Sequence, residues 1–205
     1  MKPILLTGEM VRSTLAGLKT KTRRPLKPQP EGPPEGWYAD AYNHSDRWCF
    51  WGPRGTKDSG RCTLPLFKCP FGQVGDRLWV RETWYPAFSR VEYDNGCVYK
   101  ADYGVRLDLV NEFYPHPPKK RGGWNPSIHM PRWASRITLE ITDIRIELVQ
   151  EITEEEATAE GFFPHDGMTA VYRFSEAWDS LYAKKGLGVD VNPWVWVLTF
   201  RRVEG

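Results

Sequence analysis

The sequence contains no long hydrophobic run and carries almost no net charge. The first apolar stretch, residues 3–6, is far shorter than the roughly 20 residues of a membrane-spanning helix and too short for the apolar part of a signal peptide. We therefore expect a cytoplasmic protein with no membrane partner. A net charge of +2 is also too small for the whole surface to serve as a nucleic-acid-binding patch.

Cysteine is scarce and is not spaced for a zinc site. The four cysteines form no C-x-x-C pair, and in a reducing compartment free thiols are expected ahead of a structural metal or a disulfide. The sequence also lacks the Ser-His-Asp order of a catalytic triad, a phosphate-binding loop and an H-E-x-x-H helix. The common hydrolase classes therefore have no support, and no metal or cofactor is expected. The cysteines are Cys49, Cys62, Cys69 and Cys97.

Aromatic residues and proline are present in excess. The chain has 205 residues, enough for one domain with insertions or for two small ones. Aromatic residues make up 14% of it, including ten tryptophans, and there are 17 prolines. Aromatic side chains can simply fill a core, which is the default expectation for most of them, but unpaired nucleic-acid bases also stack on them.

Charge is segregated along the chain although the net value is small. Residues 1–29 contain seven lysines and arginines and one glutamate, whereas residues 140–160 contain eight acidic residues and one arginine. If the fold brings these segments together, we expect a mixed cluster that resembles an active site. If it does not, the basic segment is free to attract phosphates.

The most informative stretch is residues 17–24, G-L-K-T-K-T-R-R. A helical pattern precedes it, and Gly17 is suited to a left-handed helix end. A short strand would then place Lys19, Lys21 and Arg23 on one face and the threonines with Arg24 on the other. On composition alone, this is either a solvated basic strand or a place where hydroxyls and cations meet for chemistry.

A second anomaly lies in a short helix predicted after Thr153. Thr153 followed by Glu156 fits a capping box, and Gly161 is placed to end the helix. Glu160 falls in the last turn, where the helix dipole disfavours an acid. It is either a surface residue without a special role or a carboxylate held there by another group, such as a nearby lysine.

The remaining patterns outline a mixed fold. Strands are expected over residues 77–84 and 194–201, and a helix over 175–185 with Phe174, Trp178, Leu181 and Tyr182 on its apolar face. From residue 136 apolar positions alternate, but the phase slips after Asp143. Such a slip is typical of a β-bulge, which bends a strand as a small barrel requires. Residues 30–70 and 86–130 show no clear periodicity and are interpreted as two irregular insertions.

These features together resemble the ASCH domain family. The likeness rests on Gly17-x-Lys19-Thr20-x-Thr22-x-Arg24 after a helix, Gly75-Asp76 at the start of a strand, Ile152-Thr153-Glu154 before a short helix, and Trp196-Val197-Leu198 in a closing strand. The whole chain is similar to ASCH-like proteins encoded by phages and prophages. The resemblance implies an α+β fold: a small PUA-like β-barrel with short flanking helices, forming one domain over residues 1–205 with the two insertions.

The resemblance also implies a chemistry. Small bacterial ASCH proteins include amidohydrolases that remove the acetyl group from N4-acetylcytidine with a lysine, a threonine and a glutamate. Matching the motif residue by residue assigns these roles to Lys19, Thr22 and Glu160. Thr22 would be the nucleophile or would position water, Lys19 would be the base, and Glu160 would orient Lys19 or relay a proton. Because a close Glu160 raises the pKa of Lys19, burial or the neighbouring Lys21 and Arg23 must lower it.

Further residues are candidates for binding the substrate, a nucleoside or RNA. Thr20, Lys21 and Arg24 belong to the same motif, and Arg24 is a candidate for contacting the oxyanion or the ribose. Glu82 is an alternative carboxylate, or only a partner of Arg81 or Arg24. The last group is expected either to rim the pocket, with a base stacked on the tryptophan, or to be an ordinary loop and a buried tryptophan. It lies in residues 127–136 and consists of His129, Arg132, Trp133 and Arg136.

Three alternatives use the same fold differently. One ASCH type cuts RNA, so a ribonuclease stays open. PUA relatives mostly bind RNA, so a non-catalytic reader of RNA or of a modified base stays open as well. In the third alternative, the aromatic insertions bind a host protein.

Overall fold

The computed structural model describes residues 1–30, 36–39, 47–51, 67–86, 96–102 and 123–203, with only the backbone described for 36–39 and 47–51. Most of both predicted insertions lies outside these residues. The helices and strands are, in chain order, β1 (Lys2–Leu5), α1 (Gly8–Leu15), β2 (Lys21–Pro25), β3 (Gly36–Ala39), β4 (Arg47–Trp51), β5 (Phe67–Lys68), β6 (Arg77–Arg81), β7 (Trp84–Pro86), β8 (Cys97–Tyr99), β9 (Thr138–Leu148), α2 (Glu154–Ala159), α3 (Ala170–Tyr182) and β10 (Trp194–Val203).

The central element is a mixed five-stranded sheet in the order β1-β6-β9-β10-β2. Strands β1 and β6 are parallel, and the other neighbours are antiparallel. The longest pairing joins β9 and β10, from Trp194 opposite Leu148 to Val203 opposite Thr138. Two smaller sheets are formed by β3-β4-β5 and by β7-β8. Mixed helix and strand content agrees with the predicted α+β class.

The predicted bulge in β9 is confirmed. Thr199 lies opposite Asp143 and Phe200 lies opposite Ile141, so Thr142 has no partner in the ladder. Ile141 and Ile144 are both buried. The extra residue therefore keeps the apolar side chains on the core face on both sides of the phase slip.

The described strands form an open sheet rather than the predicted closed barrel. The two edge strands approach each other, because Arg24 Nη2 donates to the Leu5 carbonyl at 2.8 Å. No backbone ladder joins β1 to β2. The outward carbonyls of β2 are instead capped by side chains: Lys19 Nζ donates to the Lys21 carbonyl at 2.7 Å, and Arg24 Nη1 donates to the Arg23 carbonyl at 2.8 Å. These contacts satisfy the backbone groups that a further strand would use.

The sheet is buried on both faces. Along β10, Trp196 and Leu198 pack into a cluster with apolar residues of β1, β6 and β9. Val195 and Val197 point to the opposite face and pack with Phe174 and other residues of α2 and α3. The sheet is therefore a middle layer, and α2 and α3 cover the face from which Arg23, opposite Val197 in the ladder, projects.

Several boundaries differ from the sequence-based expectations. Helix α3 begins at Ala170, because the Thr169 side chain caps the Tyr172 N–H at 3.1 Å. Leu181 is 46% exposed, so it does not belong to the apolar face of α3. The strand expected over 77–84 is divided into β6 and β7 at Glu82. The predicted helix ends at Gly17 and Gly161 are confirmed, with φ of 75° and 91°.

Candidate active site

The basic and acidic segments of the chain meet at the edge strand β2. Arg23 lies at their centre and donates to Glu160 Oε1 at 2.9 Å, to Glu147 Oε2 at 3.0 Å and to Glu156. The side chains of Lys19 and Arg23 have no exposed surface. The expectation of a solvated basic strand is therefore wrong, because the acidic segment folds over it. We call this group the β2 cluster; its members are Lys19, Lys21, Arg23, Glu147, Glu156 and Glu160.

The position of Glu160 is explained by Arg23 more than by lysine. Glu160 is the C-cap residue of α2 and is buried. Its Oε1 accepts the Arg23 hydrogen bond, while its Oε2 lies 3.9 Å from Lys19 Nζ. A buried guanidinium thus holds an acid at the helix end that the dipole disfavours.

The predicted capping box is only half formed. The Thr153 hydroxyl accepts from the Glu156 N–H at 3.2 Å, as expected. The Glu156 carboxylate does not bond back to the helix start, and instead accepts from Lys21 at 2.7 Å, from Arg145 at 2.6 Å and from Arg23. These three cations lower the pKa of Glu156 to about 2 against the opposing effect of its partial burial.

Lys19 is held by backbone carbonyls at a helix end and a sheet edge. Its Nζ donates to the Lys21 carbonyl at 2.7 Å and to the Glu160 carbonyl at 2.8 Å. Burial lowers the pKa of Lys19 to about 8; the Glu160 carboxylate opposes this shift, and Arg24 and Arg23 reinforce it. Burial therefore decides the conflict foreseen from the sequence. The cations that help are Arg24 and Arg23, and not Lys21.

The hydrogen bonds of Lys19 fit both protonation states of its amine. A neutral amine has two N–H groups and one lone pair, whereas an ammonium has three N–H groups. In either state two N–H groups donate to the two carbonyls. The third position carries a proton in the charged form, with Glu160 Oε2 3.9 Å from the nitrogen, and a lone pair in the neutral form.

Thr22 is fully buried and bonded to Arg24. Arg24 Nη1 donates to Thr22 Oγ1 at 2.7 Å, which confirms that these two residues share a strand face. Because the hydroxyl oxygen accepts this bond, its own proton remains available to a base or a substrate. Among the described residues no hydrogen bond joins Thr22 to Lys19. Thr20 is exposed, and its N–H donates to the Ala159 carbonyl at 2.8 Å.

Arg24 also lines a cavity of about 650 Å³ at the start of α1, together with Arg12, Glu82, Lys100 and Ser127. A second cavity, of about 620 Å³, is lined by Ser13, Gly161 and Arg173 among others. Arg24 thus lines the first cavity while it bonds to Thr22, and the second cavity adjoins Gly161, the residue that follows Glu160. Lys19, Thr22 and Glu160 themselves line neither of these two cavities.

Glu82 pairs with Arg136, which the sequence suggested for the pocket rim and not as the partner of Glu82. Its carboxylate accepts from Arg136 Nε at 2.9 Å and from Arg136 Nη2 at 3.0 Å. Arg136 Nη1 also donates to Asp102 at 2.7 Å. Neither Arg81 nor Arg24 is the ion-pair partner that was expected.

The group formed by His129, Arg132 and Trp133 is exposed and lines neither of the two cavities. Arg132 Nη2 reaches Thr138 Oγ1 at 3.5 Å, at the end of β9 far from Glu147. At about 3.3 Å per residue, that distance is roughly 30 Å along the strand. The Trp133 ring packs edge-on against Trp84 with centroids 5.7 Å apart. The structure therefore does not bring this group to the β2 cluster, and the expected buried tryptophan is exposed.

Sequence reasoning named Arg23 only as a cation that lowers the pKa of Lys19, and it missed Arg12. The depth of Arg23 could have been inferred from the eight acids of residues 140–160, since a single buried guanidinium can engage several carboxylates. No pattern in the sequence indicated that Arg12 belongs to the site. It projects from α1, where its Nη1 donates to the Ala101 carbonyl at 3.1 Å, and only the tertiary structure shows that it lines the first cavity.

Comparisons with protein-family models, with curated proteins and with solved structures found no match. Within the described ranges no helix is long and apolar enough to cross a membrane. In that same part of the chain, His, Cys, Asp and Glu side chains form no group of three that could hold a metal ion. Cys69 and Cys97 are both buried.

Proposed function

We propose that this protein is an amidohydrolase of the ASCH type that removes the acyl group from N4-acylated cytidine, with Lys19, Thr22 and Glu160 as its catalytic residues. The observation that carries the proposal is the Lys19 amine. It is buried, donates to two backbone carbonyls and has a pKa of about 8. A base for amide hydrolysis must be partly neutral near physiological pH, and this amine meets that requirement.

The first half of the proposed reaction forms a threonine ester. Lys19 accepts the Thr22 hydroxyl proton, directly or through one water, as Oγ1 attacks the acyl carbon. Arg24, which already donates to Oγ1 at 2.7 Å, stabilises the negative charge of the tetrahedral intermediate. The bond from the acyl carbon to N4 then breaks, and the proton on Lys19 passes to the leaving nitrogen.

The second half releases the acid. Lys19 accepts a proton from water, which attacks the ester carbon. The ester bond to Thr22 then breaks, and the proton returns to Oγ1. Glu160 lies 3.9 Å from Lys19 Nζ and is fixed by Arg23. In this scheme it positions the amine and stabilises its charged form during both halves.

The test is incubation of the full chain with N4-acetylcytidine and a series of N4-acylcytidines, followed by mass spectrometry of cytidine release. We expect turnover by the wild type and loss of at least about 100-fold in Lys19→Met, Thr22→Val and Glu160→Gln, as is typical for removal of a base or nucleophile. Lys184→Met, at an exposed residue after α3, is the control and should keep full activity.

Two results would count against the proposal. Absence of turnover by a folded wild type removes it. Cleavage of RNA under the same conditions, or RNA affinity that falls steeply with salt without hydrolysis, would favour the ribonuclease or the non-catalytic reader instead.

A further inference from the structure

The first cavity contains cations that no described carboxylate neutralises. Arg12 and Arg24 line it and are held by carbonyl groups, Arg12 by Ala101 at 3.1 Å and Arg24 by Leu5 at 2.8 Å. In the described ranges no ion pair involves either guanidinium. By contrast, Arg23, Arg136, Arg145 and Arg201 each bond to at least one carboxylate. A carbonyl orients an arginine without cancelling its charge.

Glu82, the one acidic residue in the described lining of this cavity, does not neutralise the two arginines. Both oxygens of the Glu82 carboxylate accept from Arg136. The exposed Lys100 adds a third cation to the lining. The cavity wall therefore presents Arg12, Arg24 and Lys100 with a surplus of positive charge.

Both arginines have N–H groups left that can donate to an anion. Within the part of the chain that the structure describes, Arg12 donates one side-chain hydrogen bond, from Nη1 to Ala101, and Arg24 uses its Nη groups for Thr22, Arg23 and Leu5. A guanidinium has five N–H groups, so donors remain on both. Planar guanidinium groups are the side chains best matched to phosphate oxygens.

We propose that this cavity binds the phosphate group of the substrate, so that the enzyme acts on a cytidine mononucleotide rather than on the free nucleoside. The volume of about 650 Å³ lies in the range of pockets that enclose one small ligand, which favours a mononucleotide over a polymer. Arg12 and Lys100 supply the direct contacts to the phosphate in this proposal, while Arg24 adds positive charge to the cavity wall and keeps its bond to Thr22 Oγ1. The mononucleotide assignment rests on the proposed function, whereas phosphate binding itself does not.

The test measures binding rather than turnover. Isothermal titration calorimetry at low salt compares cytidine 5′-monophosphate, cytidine, inorganic phosphate and a short oligocytidine without a terminal phosphate. We expect cytidine 5′-monophosphate to bind at least about tenfold more tightly than cytidine, as one charge-assisted hydrogen bond provides. Inorganic phosphate should bind weakly and compete with it.

Variants locate the effect. Arg12→Met should reduce the affinity for the monophosphate to that for cytidine and leave the affinity for cytidine unchanged. Lys100→Met, an exposed change that the fold tolerates, should reduce the monophosphate preference by a few-fold. The matched control is Arg173→Met: Arg173 is also held by a carbonyl, that of Phe163 at 2.8 Å, but it lines the second cavity. This control should keep the full preference.

The outcomes separate this proposal from the previous one. Equal affinity for the monophosphate and cytidine overturns it, as does a preference that survives in both Arg12→Met and Lys100→Met. Tighter, Arg12-dependent binding of the oligocytidine overturns the mononucleotide assignment in favour of RNA. A phosphate preference without deacetylation refutes the proposed function but supports the phosphate site, and deacetylation without the preference does the reverse.

Discussion

At the scale of single residues, the β2 cluster contains two fully buried cations. Arg23 is charged at every accessible pH, whereas Lys19 can lose its proton. Arg23 engages three carboxylates, whereas Lys19 donates to two carbonyls and faces Glu160 at a longer distance. Lys19 is the buried lysine of the cluster, burial lowers its pKa, and that burial has a measurable cost.

The first prediction concerns that cost. Lys19 has a folded-state pKa of about 8 instead of 10.5, so between these values the unfolded chain binds more protons and stability rises with pH. The free energy of unfolding of the wild type relative to Lys19→Met should rise by about 1 kcal/mol between about pH 7 and pH 9. Urea unfolding at both pH values measures it. A pH-independent difference would mean that Lys19 titrates normally.

The second prediction concerns Arg23. Arg23→Leu leaves the buried Glu160 without its closest partner, and such a loss costs about 3–5 kcal/mol. Arg201→Leu is the control: Arg201 makes a similar bond of 3.0 Å to Glu140, but it is exposed, so its loss should cost at most about 1 kcal/mol. Chemical denaturation of both variants decides. Equal costs would contradict the structural role of Arg23.

At this scale the sequence supported part of the cluster. Motif spacing and the helix-end anomaly pointed to Lys19 and Glu160, which the structure places 3.9 Å apart. Strand alternation showed that Arg23 shares a face with Lys21 but not that it is buried, because depth depends on which segment covers the strand. Arg136 was a candidate for the pocket rim, but its pairing with Glu82 could not be predicted because the two residues are distant in sequence.

At the scale of secondary structure, the turn from α2 into the loop after it fixes Glu160 against α1. Gly161 has a φ of 91°, and a Cβ there would lie 3.1 Å from the Ser13 side chain and 3.7 Å from Lys19 Cβ. Both a left-handed backbone and a close approach therefore require glycine.

The third prediction follows from this turn. Gly161→Ala should lower stability by about 1–3 kcal/mol, combining backbone strain with the clash, and should reduce deacetylation by shifting Glu160. Gly186 has a φ of 70° and open space around it, so Gly186→Ala should lose only about 1 kcal/mol of stability, from backbone strain, and should keep activity. Thermal melting and turnover assays compare them. If both variants lose the same stability and the same activity, the close approach of residue 161 to Ser13 contributes to neither.

Elements were predictable where one local rule acted alone. The phase slip in β9 and the glycine helix ends depend on backbone geometry, and both were correct. The capping box failed in its second half because three cations compete for Glu156. The start of α3 was missed because the Thr169 cap precedes the clearly apolar part of that helix.

At the scale of the whole molecule, the sheet is covered on both faces, and among the described residues an arginine side chain connects its two edge strands by a hydrogen bond. The alternation of apolar residues in the sequence could not show whether the sheet closes into a barrel. Closure depends on which groups bond to the backbone carbonyls of the edge strands. Here two side chains from residues 17–24, those of Lys19 and Arg24, donate to the carbonyl groups of β2. The same residues thus end the sheet and form the site.

The fourth prediction tests this layered core. Leu198 is fully buried in β10, so Leu198→Ala should cost about 2–5 kcal/mol. Leu18→Ala, at an exposed leucine, should change stability by no more than about 0.5 kcal/mol. Equilibrium unfolding in urea provides both values. A small cost at Leu198 would place the core elsewhere.

The central claim is that a buried, partly neutral Lys19 is the base of an amidohydrolase. The most direct test is the pH dependence of kcat/KM for deacetylation of the N4-acetylated substrate by the wild type and by Lys19→Met. A base must be deprotonated, so kcat/KM of the wild type should rise with pH and level off above an apparent pKa near 8. Lys19→Met should be nearly inactive throughout. Wild-type turnover that is flat across this range, or that Lys19→Met retains, would contradict the account.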